Sequence, residues 1–362
     1  ATFTDLNGDG FPDLYLVNMQ GDDHYYENRN GKGFVERTAE YFPKTPWGAM
    51  GVKFFDFNQD GLLDLFVTDM HSDMTKQQTE EALGFRPDIE KKKSEGYCSV
   101  QWSEEYLQGS SNNIFGNAFY QNLGGGRFRE VSDALGVETY WPWGVSVGDL
   151  NADGFEDVFV TAGMGYPFRY AINSLLLNEA GKRFFDAEFL VGVEPRANGR
   201  LGKYAFTLDC SGADRTNGLC AGKSGLVPVP GSLSSRSSVI FDLDNDGDLD
   251  LVTNEFNDRP QVLVSDLAAR RRVNFLKVQL TGTRSNRDGL GATVKVRAGG
   301  RVWTQFHDGK SGYLGQSSLP LYFGLGESAK IESVEVQWPS GTKQSIPAPA
   351  ANALLKVIEP GR

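Results

Sequence analysis

The stretch DLNGDGFPD (5–13) returns as DFNQDGLLD (56–64), DLNADGFED (149–157) and DLDNDGDLD (242–250), so one D-x-[DN]-x-D-G-x-x-D pattern is written four times. A repeated unit that cannot bury its own apolar face must stack on its neighbours, so the repeat governs the reading of the whole chain. The residue types fit one chemistry. Calcium is a hard cation that takes six to eight oxygens, so side chains at loop positions 1, 3 and 5 must converge on one point. Gly at position 6 permits the sharp turn, position 7 offers its carbonyl, and Asp at position 9 closes the shell. The expected ligands are Asp5, Asn7, Asp9 and Asp13 with the carbonyl of Phe11, and Asp56, Asn58, Asp60 and Asp64 with that of Leu62. The third set is Asp149, Asn151, Asp153, Asp157 and the Phe155 carbonyl. The fourth, richest in carboxylate, is Asp242, Asp244, Asp246, Asp250 and the Asp248 carbonyl. About four Ca2+ ions are therefore expected; magnesium is the weaker candidate, because it resists complete cages of protein oxygen. A lone Asp/Gly turn needs no metal, but four copies at full spacing argue for one.

The flanks exclude EF-hands. Position 12 of that motif requires a coordinating Glu, and here it holds Leu16, Val67, Val160 and Thr253. Short β-prone runs follow each loop (LYLVN, LFVTD, VFVTA, LVTNE) and precede the later three (GVKFF, GVSVG, SSVIF). A second element recurs downstream as HYYENRNGKGFVERT (24–38), AFYQNLGGGRFREVS (118–132) and LLLNEAGKRFFDAE (175–188): strand, Asn/Gly turn, then a strand opening on Phe. The unit is four strands, one blade of a β-propeller. The expected fold is all-β: a calcium-binding propeller over residues 1–269 with at least four readable blades, then a small antiparallel β-sandwich-like domain over 270–362. The later loop-to-loop intervals are nearly twice the first. Insertions at about 71–115 and 194–235, which lack strand alternation, account for this better than blades without the motif. The first insertion holds a helix candidate at 76–83 and a charge run at 90–93, read as a solvated face.

Beyond about residue 273 the repeat gives way to alternating runs (VNFLKVQL, ATVKVRA, RVWTQF, LYFGLG, IESVEVQW, ALLKVI) separated by Gly-rich turns. Here the chain resembles known groups. The blades resemble the FG-GAP/VCBS class, also seen in integrin-α propellers. The phrases NFLKVQLTG, SNRDGLGATVKV, GYLGQSS, LYFGLG and VEVQWPSG resemble the ASPIC/UnbV domain. The pairing resembles the cartilage acidic protein 1-like group in its bacterial form. That resemblance implies a secreted, periplasmic or cell-surface calcium-binding protein, and no single biochemical activity. Related propellers commonly have seven blades, whereas four are readable here.

Composition bounds the function. With 36 basic and 47 acidic residues the net charge is −11, which argues against nucleic acid, whose phosphates need a basic footprint. Four divalent ions would offset most of that charge. No apolar run reaches the length of a membrane span. Ala1 stands only four residues before the first loop Asp, as in a processed or truncated product. Cys210 and Cys220 flank a Gly-rich loop and are either a disulfide, suited to an oxidising compartment, or two buried thiols; Cys98 is left over. No catalytic constellation is found. His24, His71 and His307 are far apart and form no zinc pattern, and each reads as a surface or turn histidine. TDMHSDM (68–74) could gather Asp69, His71 and Asp73, though a loop leaving the repeat is the simpler reading. No GxSxG elbow occurs. The expectation is a binding or adhesion-like module that meets a protein or glycan through the propeller face and the insertions. Trp102, Tyr106 and Tyr166 are candidate anchors there, while Trp141 and Trp143 read as core. The alternatives are an accessory subunit of an envelope complex, or a propeller enzyme such as a lyase or sugar oxidoreductase.

Overall fold

The computed structural model describes residues 1–72, 113–114, 116–165, 172–196 and 199–361. The first sheet runs β1 (Thr2–Thr4), β2 (Asp13–Leu16), β3 (His24–Asn28) and β4 (Phe34–Glu36), each antiparallel to the one before. A helical turn, α1 (Thr38–Tyr41), and β5 (Thr45–Pro46) lead to β6 (Ala49–Phe55) and β7 (Asp64–Asp69). After β8 (Asn113–Ile114), which pairs in parallel with β5, come β9 (Ala118–Asn122) and β10 (Phe128–Glu130), completing a β6-β7-β9-β10 sheet. A second helical turn, α2 (Ser132–Leu135), precedes the third sheet: β11 (Pro142–Gly148), β12 (Asp157–Ala162), β13 (Ser174–Asn178) and β14 (Phe184–Asp186). The antiparallel ribbon β15 (Gly202–Asp209) and β16 (Leu226–Ser232) comes next. The fourth sheet then has three strands, β17 (Ser235–Phe241), β18 (Asp250–Glu255) and β19 (Gln261–Leu263), and the chain turns into α3 (Leu267–Arg270).

Every Asp/Gly loop thus joins the first and second strands of a sheet. The second strands β7 (DLFVTD) and β12 (DVFVTA) are buried along their whole length. They read as continuous apolar runs because neighbouring sheets cover both faces. Separate apolar clusters fill the gaps: Tyr25, Leu65 and Tyr120 between sheets one and two; Phe57, Phe119 and Phe184 between two and three; Phe159, Leu175 and Leu251 between three and four. A threonine stitches the inner strands of adjacent sheets. Thr68 accepts the Gly51 N–H at 2.8 Å and donates to Trp143 O at 3.1 Å; Thr161 accepts from Gly144 at 2.9 Å and donates to Arg236 O at 2.9 Å.

The second unit comprises β20 (Phe275–Thr281), β21 (Thr293–Ala298), β22 (Arg301–Phe306), β23 (Lys310–Ser311), β24 (Gly315–Gln316), β25 (Leu321–Gly324), β26 (Ile331–Gln337), β27 (Lys343–Pro347) and β28 (Leu354–Ile358). A β25-β20-β28 sheet faces a β22-β21-β26-β27 sheet across a core that includes Leu276, Val294, Phe323, Val334 and Trp338. It is not wholly antiparallel, because β20 and β28 pair in parallel.

Two further expectations change. The four repeat sheets do not close into a ring among the described residues. Instead β22, β23 and β25 of the second unit lie against the first strands β6, β11 and β17. Gly312 N–H donates to Val145 O at 3.0 Å, and Ser311 Oγ donates to Ser238 O at 2.8 Å. The 194–235 insertion is also more than a loop. Tyr204, Phe206 and Leu208 stand at alternate positions of β15, with a register shift between Tyr204 and Phe206, β16 pairs with it despite Pro228 and Pro230, and a disulfide joins Cys210 to Cys220 beyond the strand ends, with Cα atoms 5.2 Å apart. Most of the 71–115 insertion lies outside the described residues, with its helix candidate, its charge run, Asp73, Cys98, Trp102 and Tyr106, and so does Tyr166.

Candidate metal centres

The four loops share one hydrogen-bond plan. The position-1 carboxylate accepts the position-6 glycine N–H: Gly10 to Asp5, Gly61 to Asp56 and Gly154 to Asp149 at 2.9 Å, and Gly247 to Asp242 at 3.1 Å. Position 3 accepts the position-5 N–H, from Asp9 to Asn7 at 3.0 Å, Asp60 to Asn58 at 3.2 Å, Asp153 to Asn151 at 3.0 Å and Asp246 to Asp244 at 3.2 Å. Position 5 accepts the position-7 N–H of Phe11, Leu62, Phe155 and Asp248 at 2.8–3.1 Å. Each loop therefore folds its own backbone N–H groups onto its Asp and Asn side chains.

Position 9 reaches further. Asp13, Asp64, Asp157 and Asp250 are buried, and one oxygen of each accepts the N–H of position 2, from Leu6, Phe57, Leu150 and Leu243. The other oxygen accepts a 2.8 Å bond from Asn28, Asn122, Asn178 or Ser265, where the third strand ends. The asparagines return the link: their amides donate to Pro12, Leu63 and Glu156 carbonyls and their oxygens accept from Gly31, Gly124 and Gly181. One aspartate thus ties a loop to two strands.

Burial and mutual repulsion both act on the loop carboxylates. Burial, with neighbouring aspartates adding to it, pushes Asp56 and Asp149 up to about 7, Asp64 up to about 8 and Asp157 well above the carboxylate range. Burial also raises Asp13 to about 6 and lifts Asp5 and Asp248. Ligand oxygens of Asp242, Asp244 and Asp250 all lie within 4.8 Å of one another. Asp5 Oδ1 and Asp242 Oδ1 are buried with no hydrogen-bond partner among the described residues. An oxygen-rich ring with orphaned buried carboxylate oxygens fits a hard divalent ion. The loops are not equivalent. Lys277 Nζ stands 2.7 Å from Asp242 Oδ2 and bonds Asn245, so the fourth loop already carries an ammonium.

The second unit is seated on these loops. Trp303 Nε1 donates to Gly154 O at 2.7 Å, Tyr322 OH to Gly247 O at 2.7 Å, and Gln305 to Glu156 Oε1 at 2.7 Å. A Cβ on Gly324 would overlap the Asp149 carboxylate, and one on Gly326 would press on Asp153 O. The glycines of LYFGLG are therefore where the second unit approaches the third loop most closely. Nothing local in the sequence signals this.

Sequence reading also missed several buried polar groups. His71 and His307, taken for surface or turn residues, are buried. His71 Nδ1 lies 2.7 Å from Asp69 Oδ1 at the end of β7, so the carboxylate draws the ring inside; burial holds His307 below the usual histidine range. His24 is half-exposed, 3.7 Å from Glu36. Lys53 pairs with Asp308 at 2.8 Å across the junction of the two units, and burial raises Glu156 to about 8 beside them. Trp141 is buried and Trp143 partly so.

A family model for the FG-GAP-like repeat matches residues 5–67 and 105–160, and one described as ASPIC and UnbV matches 282–362. No curated protein matches the chain. The repeat match stops short of the fourth loop, whose hydrogen bonds nonetheless follow the plan of the other three.

Proposed function

Because the chain is an FG-GAP-like repeat protein that ends in an ASPIC and UnbV domain, we propose that its four loops hold about four calcium ions and that the ion-braced sheets, propeller blades in kind, serve as a binding module. Bound calcium would supply the positive charge that lets the crowded aspartates ionise together. Asp5, Asn7, Asp9 and Asp13 and their counterparts would hold it, and the position-9 aspartates would pass its effect into the third strands. The observation that carries the reading is the fourth loop, where three carboxylates converge within 4.8 Å and Asp242 keeps an orphaned buried oxygen. The metal's role is structural, since the loops also form the seat of the second unit. The Cys210–Cys220 disulfide suits a secreted, periplasmic or cell-surface setting. The ribbon that carries it exposes Tyr204 and Leu226, at 71% and 75%, as surface for a protein or glycan partner.

Thermal melting in EDTA and in added calcium tests this. Chelation should lower the Tm, and calcium should restore it with an affinity on the order of 10⁻⁴–10⁻³ M, as in extracellular modules. A melting curve that EDTA leaves unchanged overturns the proposal; restoration by magnesium at equal concentration overturns the choice of calcium.

A further inference from the structure

The repeat makes one omission visible. In the third sheet the fourth strand, β14, places Phe184 between sheets two and three. Its ring is 3% exposed, 6.2 Å from Phe57 and 5.9 Å from Phe119, in a cluster that also holds Leu135 and Val137. In the second sheet, β10 places Phe128 in the same way, 4.8 Å from Phe42. Among the described residues the fourth sheet has no fourth strand, and β19 is one of its two edges. The registers correspond: Leu263 opposes Leu251 as Leu176 opposes Val158, and Ser265 bonds Asp250 as Asn178 bonds Asp157.

Carrying that register one sheet onward turns Phe57, Phe119, Leu135 and Val137 into Leu150, Leu175, Val191 and Val193. These four line a cleft of about 330 Å³ between sheets three and four. The position filled by Phe184 in the earlier gap is open here. Leu135 is 6% exposed, whereas its counterpart Val191 is 50% exposed, and Val262 and Val264 beside the cleft are 54% and 56% exposed. The chain's own continuation is committed elsewhere: Ala268 N–H bonds Asp248 Oδ2 at 2.7 Å, and α3 leads away into β20.

We propose that this cleft docks an extended strand of another polypeptide, which pairs antiparallel with the open edge of β19 and seats a phenylalanine among Leu150, Leu175, Val191 and Val193. The occupant is specified by the repeat itself, because the two preceding gaps are each filled by a strand that opens on Phe. An unpaired strand edge supplies the backbone half of such recognition and the apolar slot the side-chain half. The inference rests on the binding reading above and names a partner class for it, an extended peptide with a large aromatic residue.

The probe is a labelled peptide with the sequence of residues 181–188 (GKRFFDAE), titrated into the full chain by fluorescence anisotropy, in calcium and in EDTA. Saturable binding is expected. Replacing the first Phe of the peptide by Ala should weaken it about tenfold or more. N-methylating alternate peptide bonds should abolish it. Val191→Lys, at an exposed position, should weaken binding similarly with an unchanged Tm. No saturable binding, or binding indifferent to the Phe and to N-methylation, overturns the proposal. So does self-association of the chain that Val191→Lys abolishes, which would make a second copy the occupant. The metal reading is scored separately by the Tm in EDTA, so either can fail alone.

Discussion

Glu359 shows how much a single side chain can organise. One of its oxygens accepts the N–H groups of Thr283, Arg284 and Ser285 at 2.9, 2.7 and 2.7 Å, and the other accepts the hydroxyls of Ser285 and Ser340. Burial pushes its pKa up, but these bonds outweigh it and hold the carboxyl at about 2, below the ordinary 4.5. A depressed carboxylate stabilises the fold above its unfolded pKa, so the contribution is present above about pH 4.5 and is lost as pH falls toward 2. Glu359→Ala should cost about 2 kcal/mol at neutral pH. Hydrogen exchange at the Thr283–Ser285 amides should speed up at pH 7, with the difference from wild type shrinking below pH 4. Unchanged protection at pH 7 would show that the carboxylate is not the clamp.

Among the elements, the Asn/Gly turn after the third strand of each of the first three sheets is the connector. Asn178 does more than shape its turn, because its amide also donates to Phe57 O at 2.9 Å, in the loop of the preceding sheet. Sheet three is thereby hooked onto loop two. Asn178→Ala should cost about 3 kcal/mol, through several lost bonds at a buried position. Asn28→Ala, on the first sheet and only part-buried, should cost less. Urea unfolding of the two variants measures this directly, and equal losses would count against the inter-sheet hook. The sequence shows the Asn and the turn in the first three repeats. It does not show which carbonyl on the neighbouring sheet the amide will find.

At the scale of the whole molecule, the question is how two units become one body. Gly144 is decisive, since a Cβ there would run into the backbone of Gly312 and Tyr313, where Gly312 bonds Val145. Backbone cannot swing aside as a side-chain tip can. Gly144→Ala should therefore destabilise the junction by about 1–3 kcal/mol, as overpacking does, and should expose the link between α3 and β20 to limited proteolysis. Gly33→Ala is not a fair control because its φ is +154°, whereas Gly218, with open space around it, is. If Gly144→Ala and Gly218→Ala resist protease equally, the close approach does not matter.

By itself the sequence determined the repeated loop, its hairpin flanks, the Asn/Gly turns and the alternating strands of the second unit. Each of these is local, a matter of spacing along one stretch of chain and of which residue types tolerate a sharp turn. The turn-forming residues at loop positions 1, 3, 5, 6 and 9 were legible for the same reason. Tertiary structure alone decided that, among the described residues, the sheets stop short of a ring and β19 keeps an open edge, that the second unit sits on the loops, and that His71 and His307 lie inside. Those outcomes depend on what a distant segment places against each surface. A motif nine residues long contains no information about a glycine more than a hundred positions away that makes room for its aspartate.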